Sequence, residues 1–393
     1  MRILVTDAEN RAALAVTRSL GRAGHHVAVA HHRHPTLASS SRYCKQRLVV
    51  PDALVDPGAF VNGISEAVSE HALDAVIPVS DITTLTLAQA VDAGTLHSRI
   101  CTPAYAQLEL AADKQKTLEL GRQLGVPVPR SVVVSARGQA FDEPDFPFPV
   151  VVKPARSRVW GDGRWHFNSV CYAHSRDHLR TILDSLEEPQ YPVLVQERIE
   201  GPGIGVFACY DHGRLLALFS HRRIREKPPS GGVSVLRESV PVDPTAGAHA
   251  RALLETLQWH GVAMVEFKQD KRDGRLKLME INGRLWGSLQ LAIDAGVDFP
   301  AIMARLLAGE RVEEIPTYRS GVLTRWLWGD IDALLSLFLK PKKDLDLPPD
   351  HPGRWATLLR FLLPWQPGLH YEIFSIADPR PWFYETRHWF QQQ

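Results

Sequence analysis

Three oxygen-bearing side chains stand close together late in the chain. Glu266 lies in one short apolar run, and Glu280 and Asn282 end the next. Hard divalent cations prefer oxygen ligands, and Mg²⁺ bound with nucleotides is usually held by one or two carboxylates and by the phosphates themselves. These residue types therefore predict a metal site. The alternative is a hairpin that carries two charges on its solvent face.

The elements around these residues would bring them together. Residues 262–267 and 276–281 are typical of strands, and residues 270–274 have the composition of a turn. A hairpin sets Glu266 beside Glu280, and side chains alternate along a strand, so Asn282 shares the face of Glu280. Arg284 continues that face with a cation suited to phosphate or carboxylate.

Composition limits the kinds of partner. Lysine and arginine total 45 against 44 acidic residues, so no field recruits nucleic acid or anionic lipid, and small-molecule partners are expected. The cysteines are scattered without metal-ligand spacing, which favours a reducing compartment. The chain opens directly into a strand, and the apolar stretch 355–363 is too short to span a bilayer. A cytoplasmic protein without a transmembrane segment is expected.

The first 105 residues alternate strand and helix, which predicts a parallel sheet. The first turn lacks the G-x-G-x-x-G pattern, so no dinucleotide is expected there. Ser80 and Asp81 follow a strand at the sheet edge where such folds bind ligands. They contact a substrate or, alternatively, cap the next helix.

The middle of the chain carries two lysines that are candidate functional residues. Lys114 lies in a predicted helix over residues 111–121, and Lys153 ends an apolar strand over residues 150–154. Residues 155–164 are rich in glycine and arginine and are expected to form a flexible loop. A further apolar strand from residue 193 breaks into a polar exit at Gln196, Glu197 and Ile199.

Taken in order, Lys114, Lys153, Gln196-Glu197-x-Ile199, Glu266 and Glu280-x-Asn282-x-Arg284 resemble the ATP-grasp superfamily, in its carboxylate-amine ligase branch. The run from Glu280 to Ser288 is most similar to predicted carboligases related to D-aspartate ligase, and more distantly to carbamoyl-phosphate synthase large-chain domains.

The resemblance implies an α/β and α+β fold in which two lobes clamp ATP. The expected parts are an N-terminal Rossmann-like (pre-ATP-grasp) α/β domain, residues 1–105, a small lobe, 106–192, a large lobe with the metal site, 193–310, and an aromatic-rich C-terminal extension, 311–393.

The resemblance also implies roles for single residues. Lys114 and Lys153 would contact ATP phosphates, and Gln196, Glu197 and Ile199 would form the adenine site. The metal ligands would be Glu266, Glu280 and Asn282, holding Mg²⁺ or Mn²⁺, with two ions expected. Arg284 and Lys153 would act in catalysis, Arg284 by steadying the acyl phosphate or a substrate carboxylate.

The implied reaction moves the γ-phosphoryl group of ATP to a carboxylate, after which an amine, of an amino acid or peptide, displaces phosphate. Positioning and charge neutralisation suffice for such a step. Two segments, 156–164 and 227–232, are expected to close over the intermediate. Alternatives are a thiol, ammonia or carbamate acceptor, or a nucleotide-binding protein without turnover. A homodimer through the N-terminal domain or the aromatic extension is also expected.

Several residues have more than one interpretation. Arg222, Arg223 and Arg225 bind an anion or lie on the surface, and the histidines of residues 25–34 lack the geometry of a metal site. Gly283 stands where many relatives have proline, which leaves the aim of Arg284 less constrained. The C-terminal tryptophans are expected to fasten the extension to the main body or to a second subunit. They are Trp326, Trp328, Trp355, Trp365, Trp382 and Trp389.

Overall fold

The computed structural model describes residues 1–141, 144–229, 232–339, 341, 345, 347, 352–362 and 368–392. Trp365, and Ser230 and Gly231 of the expected closing segment 227–232, lie outside the described residues. None of the described helices is long and apolar enough to cross a membrane.

The N-terminal part is a parallel five-stranded sheet of order β3-β2-β1-β4-β5, which confirms the predicted strand–helix alternation. Its elements are β1 (Arg2–Val5), α1 (Arg11–Arg22), β2 (His26–His31), β3 (Cys44–Val49), α2 (Pro57–Glu70), β4 (Ala75–Ile77), α3 (Asp81–Asp92) and β5 (Arg99–Ile100).

Two helices follow where the sequence predicted one over residues 111–121. They are α4 (Tyr105–Ala112) and α5 (Lys114–Gln123). The single-helix prediction is wrong because Asp113 adopts an extended conformation and its side chain accepts from the amides of Gln115 and Lys116 as an N-cap. Lys114 thus becomes the first residue of α5, and its amide donates to the carbonyl of Ala155 at 2.8 Å.

A four-stranded antiparallel sheet of order β10-β7-β11-β6 forms the next layer. Its elements are β6 (Ser131–Val134), β7 (Val150–Pro154), β10 (Cys171–Ala173), α6 (Arg176–Ser185) and β11 (Val193–Glu197), while β8 (Arg158–Gly161) and β9 (Arg164–Phe167) pair separately.

The pairing of β8 with β9 corrects the expectation of a flexible loop over residues 155–164. Asp162 and Gly163 have φ of 52° and 71°, the left-handed values that a tight hairpin turn needs. Trp160 packs edge-on against Trp165, whose indole donates to the carbonyl of Ala53 at 2.9 Å. The hairpin is therefore anchored to the N-terminal sheet region.

The largest sheet has seven strands in the order β16-β15-β12-β13-β14-β17-β18. Its strands and helices are β12 (Gly203–Asp211), β13 (Arg214–Lys227), β14 (Val233–Val240), α7 (Pro244–Thr256), β15 (Gly261–Gln269), β16 (Leu276–Asn282), α8 (Leu289–Ala295), α9 (Phe299–Leu307), β17 (Leu323–Arg325) and β18 (Leu369–Tyr371). One hydrophobic core joins this sheet to the N-terminal sheet, for example through Val5, Phe207 and Trp286.

The last helices are α10 (Leu327–Leu339), α11 (Arg354–Phe361) and α12 (Arg380–Gln392). Buried ion pairs hold this end of the chain to the rest. Arg18 of α1 donates to Asp378 at 2.9 Å, and Glu372 lies 2.6 Å from Arg237, both fully buried. Since truncating one partner leaves an uncompensated buried charge, each pair fixes the position of the C-terminal segment.

Candidate functional site

The hairpin of β15 and β16 places the three expected metal ligands together. Glu266 and Glu280 are partners in the strand register, and the Asn282 amide donates to Glu280 at 3.0 Å. A register shift follows between Glu266 and Phe267. The side-by-side arrangement that the sequence predicted is present in the fold.

The electrostatics of this pair suit a divalent cation. Burial, and then the neighbouring Glu280 carboxylate, raise the pKa of Glu266. The guanidinium of Arg223 opposes this effect from 3.2 Å. A divalent cation between the carboxylates would remove their repulsion, and two carboxylates with an amide oxygen are the hard donors that Mg²⁺ accepts. The residues present fit such an ion.

The two lysines approach this hairpin from the small sheet and from α5. Lys114 donates to the hydroxyl of Ser157 at 2.7 Å, and its Nζ lies 3.8 Å from a Glu280 oxygen. Lys153 is 5% exposed, and burial, with the charge of Lys114, lowers its pKa to about 8. Two ammonium groups whose charges act on one another, with Glu280 beside them, are suited to bind polyphosphate.

The expected adenine strand is fixed by its side chains. Burial alone would raise the pKa of Glu197, but hydrogen bonds from the Arg130 amide and from Arg272 lower it below its ordinary value. The Arg272 contact, at 3.0 Å, links the small sheet to the turn between β15 and β16. Gln196 donates to Ser131 at 2.9 Å. The Ile199 carbonyl accepts from Lys268 at 3.3 Å, so that oxygen is already engaged.

Arg284 is oriented by the first residue of α3, Asp81. Its Nε donates to Asp81 at 2.9 Å, and Arg158 of the β8–β9 hairpin lies 3.9 Å from the other Asp81 oxygen. Ser80 caps α3 through its hydroxyl, so the capping interpretation holds for that side chain. Asp81 instead joins three parts of the chain at one point.

The glycine before Arg284 has a packing reason. A Cβ on Gly283 would lie 2.6 Å from Leu108 and 2.9 Å from the ring of Trp259. Any larger residue would displace α4 or the buried tryptophan. The orientation of the Arg284 side chain therefore depends on the close packing of Gly283 against Leu108 and Trp259 as well as on the hydrogen bond to Asp81.

The structure separates the three arginines of β13. Arg222 is an exposed partner of Glu238, and Arg225 pairs with the buried Asp330. Arg223 alone among them reaches Glu266. Regular alternation along β13 would place Arg223 and Arg225 on the same face of the sheet. The irregular register between them changes this, and the sequence does not reveal that irregularity.

A second group of metal-type donors lies at the β12–β13 turn, far along the strands from Glu266. Donor atoms of Asp211, His212 and His260 fall within 4.8 Å of one another. Asp211 is already held by Arg214 at 2.9 Å, and the two imidazoles stack at 4.2 Å. These contacts account for the cluster without an ion.

A cavity of about 580 Å³ adjoins Arg284. Asp81, Arg158 and Arg284 line one part of it, and side chains of α10 and α12 line another. The sequence did not indicate that the aromatic extension reaches this place. Pockets of this size and mixed lining are typical of small-molecule sites.

Comparison with known proteins identifies the fold. A family model described as ATP-grasp in the biosynthetic pathway with Ter operon matches residues 190–329. The D-aspartate ligase of Enterococcus faecium (strain Aus0004) is 25% identical over 227 residues, which is 54% of this chain and 52% of that ligase. The chain thus aligns with about half the length of this relative.

Two solved structures have the same architecture. The L-amino acid ligase of Bacillus licheniformis has a TM-score of 0.59 at 16% identity, over 78% of this chain and 74% of that one. The biotin carboxylase domain dimer of the Hydrogenobacter thermophilus 2-oxoglutarate carboxylase, in complex with MgADP, ADP and bicarbonate, has a TM-score of 0.62 at 16% identity, over 82% and 73%.

The fold predicted from the ordered motifs is confirmed by these likenesses, as is the resemblance to D-aspartate ligase. The chain has the ATP-grasp fold, and its residues 190–329 match a family of that superfamily.

Proposed function

We propose that the protein is an ATP- and Mg²⁺-dependent ligase. It activates a carboxylate as an acyl phosphate, joins it to an amine of an amino acid or peptide, and releases ADP and phosphate. The observation that carries this proposal is the meeting of a carboxylate pair, two lysines and an oriented arginine. Lys114 lies 3.8 Å from Glu280, the charges of Lys114 and Glu280 act on Lys153, and the charge of Arg284 acts on Glu266. Arg284, held by Asp81, also lines the cavity. The ligase names of two relatives support it.

The metal would be held by Glu266, Glu280 and Asn282, and when bound it supplies charge neutralisation to the phosphates. We propose two ions, Mg²⁺ or Mn²⁺; the complex of the similar carboxylase domain with MgADP supports the ion type. Arg223 of β13 partly offsets the negative charge of the carboxylate pair through its contact with Glu266.

ATP would lie between the small sheet and the β15–β16 hairpin. Lys114 and Lys153 neutralise its phosphates, and nearby phosphate would raise the pKa of Lys153 and keep it protonated. The segment from Gln196, near the end of β11, to Ile199 receives adenine. Since the Ile199 carbonyl already binds Lys268, we assign adenine recognition to the remaining main-chain groups there.

Arg284 binds the substrate carboxylate and then the acyl phosphate. Asp81 accepts from Nε and the Leu285 carbonyl accepts from Nη1 at 2.8 Å, so the guanidinium is held with Nη2 left to donate to an anion. Lys153 assists this step through its contact with the ATP phosphates. The β8–β9 hairpin, through Arg158, excludes water from the same end of the cavity.

We further propose the four-part division at residues 1–105, 106–192, 193–310 and 311–393, and a cytoplasmic location. A homodimer is also proposed, in keeping with the dimer that the similar carboxylase domain forms.

A substrate panel tests the reaction. Pairs of carboxylates and amines are incubated with ATP and Mg²⁺. The nucleotide products and the coupled products are then separated and identified by mass spectrometry. The proposal predicts ADP, phosphate and an amide that form only when both substrates are present. Formation of AMP with the productive pair would contradict the acyl-phosphate route.

A further inference from the structure

The cavity beside Arg284 has a wall made by the C-terminal extension. The lining residues are Trp326, just before α10, Trp328 of α10, and Tyr384, Glu385 and Trp389 of α12. The opposite wall carries Asp81, Arg158 and Arg284. A molecule in this space would touch Arg284 and the aromatic wall at once.

The aromatic side chains are held rigidly. Trp328 and Trp389 stack with ring centroids 4.3 Å apart, and the Trp389 indole donates to Asp332 at 2.7 Å. The Tyr384 hydroxyl donates to Glu9 at 3.0 Å. A rigid aromatic wall offers flat apolar contact area at little cost in side-chain entropy.

Glu385 is the unusual member of this wall. One of its oxygens accepts from the Trp326 indole at 2.6 Å, and the second receives no hydrogen bond from the described residues. Burial raises the pKa of the Glu385 carboxyl to about 7, and Glu372 and Asp332 add to the effect while Arg11 opposes it. A partly buried carboxylate with an open oxygen accepts a cationic hydrogen-bond donor.

We propose that this wall is the subsite for the amine substrate, which is an amino acid with a bulky aromatic side chain whose ammonium group binds Glu385 while the ring lies against Trp328 and Trp389. The inference rests on the proposed ligase function and extends it by naming the class of one substrate. It also gives the C-terminal segment a role in recognition, since α10 and α12 supply every group involved.

Other charged groups packed against this wall are matched within the protein, while Glu9, elsewhere in the cavity lining, accepts from the Tyr384 hydroxyl and the Leu37 amide. Lys227 pairs with Asp332, and Arg11 lies over the Trp326 ring at 3.8 Å and pairs with Glu372. Glu385 is the carboxylate of this wall, among the described residues, that lacks a cationic partner at ion-pair distance. An ammonium group on the ligand would provide one.

Binding is measured on the full chain by calorimetry, with Mg²⁺ and a non-hydrolysable ATP analogue present. The probes are L-phenylalanine, L-alanine and 3-phenylpropionate, which lacks the amine. We expect phenylalanine to bind about 10-fold more tightly than alanine, because a buried aromatic side chain contributes at least that factor. Phenylpropionate is expected to bind about 10-fold more weakly than phenylalanine.

Two variants locate the subsite. Glu385→Gln keeps the shape and removes the charge, and it is expected to weaken phenylalanine about 10-fold without changing phenylpropionate. Trp389→Leu is expected to weaken both aromatic probes. The matched controls are Glu313→Gln and Trp355→Leu, whose side chains are largely exposed and lie outside the cavity lining. Nucleotide affinity should stay the same in all four.

Equal binding of phenylalanine and alanine, binding that Glu385→Gln and Trp389→Leu leave unchanged, or binding of no probe would overturn the inference. These outcomes are separable from the fate of the ligase proposal. A protein that forms ADP with small amines but rejects aromatic ones retains the ligase function and loses the subsite. A protein that binds phenylalanine as described and forms no ADP with it does the reverse.

Discussion

Glu385→Gln is predicted to stabilise the protein at alkaline pH. The pKa of this carboxyl rises from 4.5 to about 7 in the folded protein, with burial as the main cause. Below pH 4.5 the carboxyl is protonated whether folded or not, so it has no effect on stability. As the pH rises towards 7, the unfolded chain ionises first and the folded state loses stability.

The size of the effect follows from the shift. Each pKa unit corresponds to about 1.4 kcal/mol, so ionised Glu385 costs roughly 3 kcal/mol of unfolding free energy above pH 7. Glutamine mimics the protonated form. The variant should therefore match the wild type near pH 4.5 and exceed it by roughly 2–3 kcal/mol at pH 8.

Urea unfolding at several values between pH 4.5 and 8, followed by tryptophan fluorescence, measures this difference. Glu313→Gln is the control, since that side chain is 81% exposed and paired at the surface, and its change should be small at every pH. A constant difference between Glu385→Gln and the wild type across this range would refute the burial argument.

Other parts of the structure give predictions of their own. Gly283→Ala puts a Cβ 2.6 Å from Leu108, so its unfolding free energy should fall by about 1–3 kcal/mol in urea titrations. Arg18→Ala leaves the buried Asp378 without its ion-pair partner, and its unfolding free energy, measured in the same way, should fall by about 3–5 kcal/mol. ATP affinity, measured by calorimetry, should decline as the pH rises through about 8, because Lys153 then loses its charge, and Lys153→Met should abolish this decline.

Each of these has a result that would contradict it. Arg311→Ala, which breaks an exposed pair, is the control for Arg18→Ala, and equal losses in the two would refute the role of burial. A Gly283→Ala variant as stable as the wild type would mean that Leu108 yields freely. Retention of the alkaline decline in Lys153→Met would assign it to another group.

Local patterns in the sequence predicted the β15–β16 hairpin. Apolar alternation around Glu266 and Glu280, with turn residues between, fixed both the strands and their register. The Asp113 cap and the Asp162-Gly163 turn are equally local signals, but helical periodicity across Asp113 predicts one continuous helix, and the glycine content of residues 155–164 predicts a flexible loop.

Long-range contacts account for what the sequence did not predict. Arg18 meets Asp378, and Tyr384 meets Glu9, across more than three hundred residues of chain. No period or spacing encodes such pairs. The position of α12 beside the cavity, and hence the part of Glu385, became visible only when the fold brought the two ends of the chain together.

The most direct test of the Mg²⁺-ATP site is the rate of ADP release by Glu280→Ala with a productive substrate pair. The rate is predicted to fall by about 100-fold or more while the variant unfolds at the same urea concentration as the wild type. Glu238→Ala, on strand β14 of the same sheet, should keep its rate. An unchanged rate in Glu280→Ala would contradict the assignment of Glu266, Glu280 and Asn282 as the metal ligands.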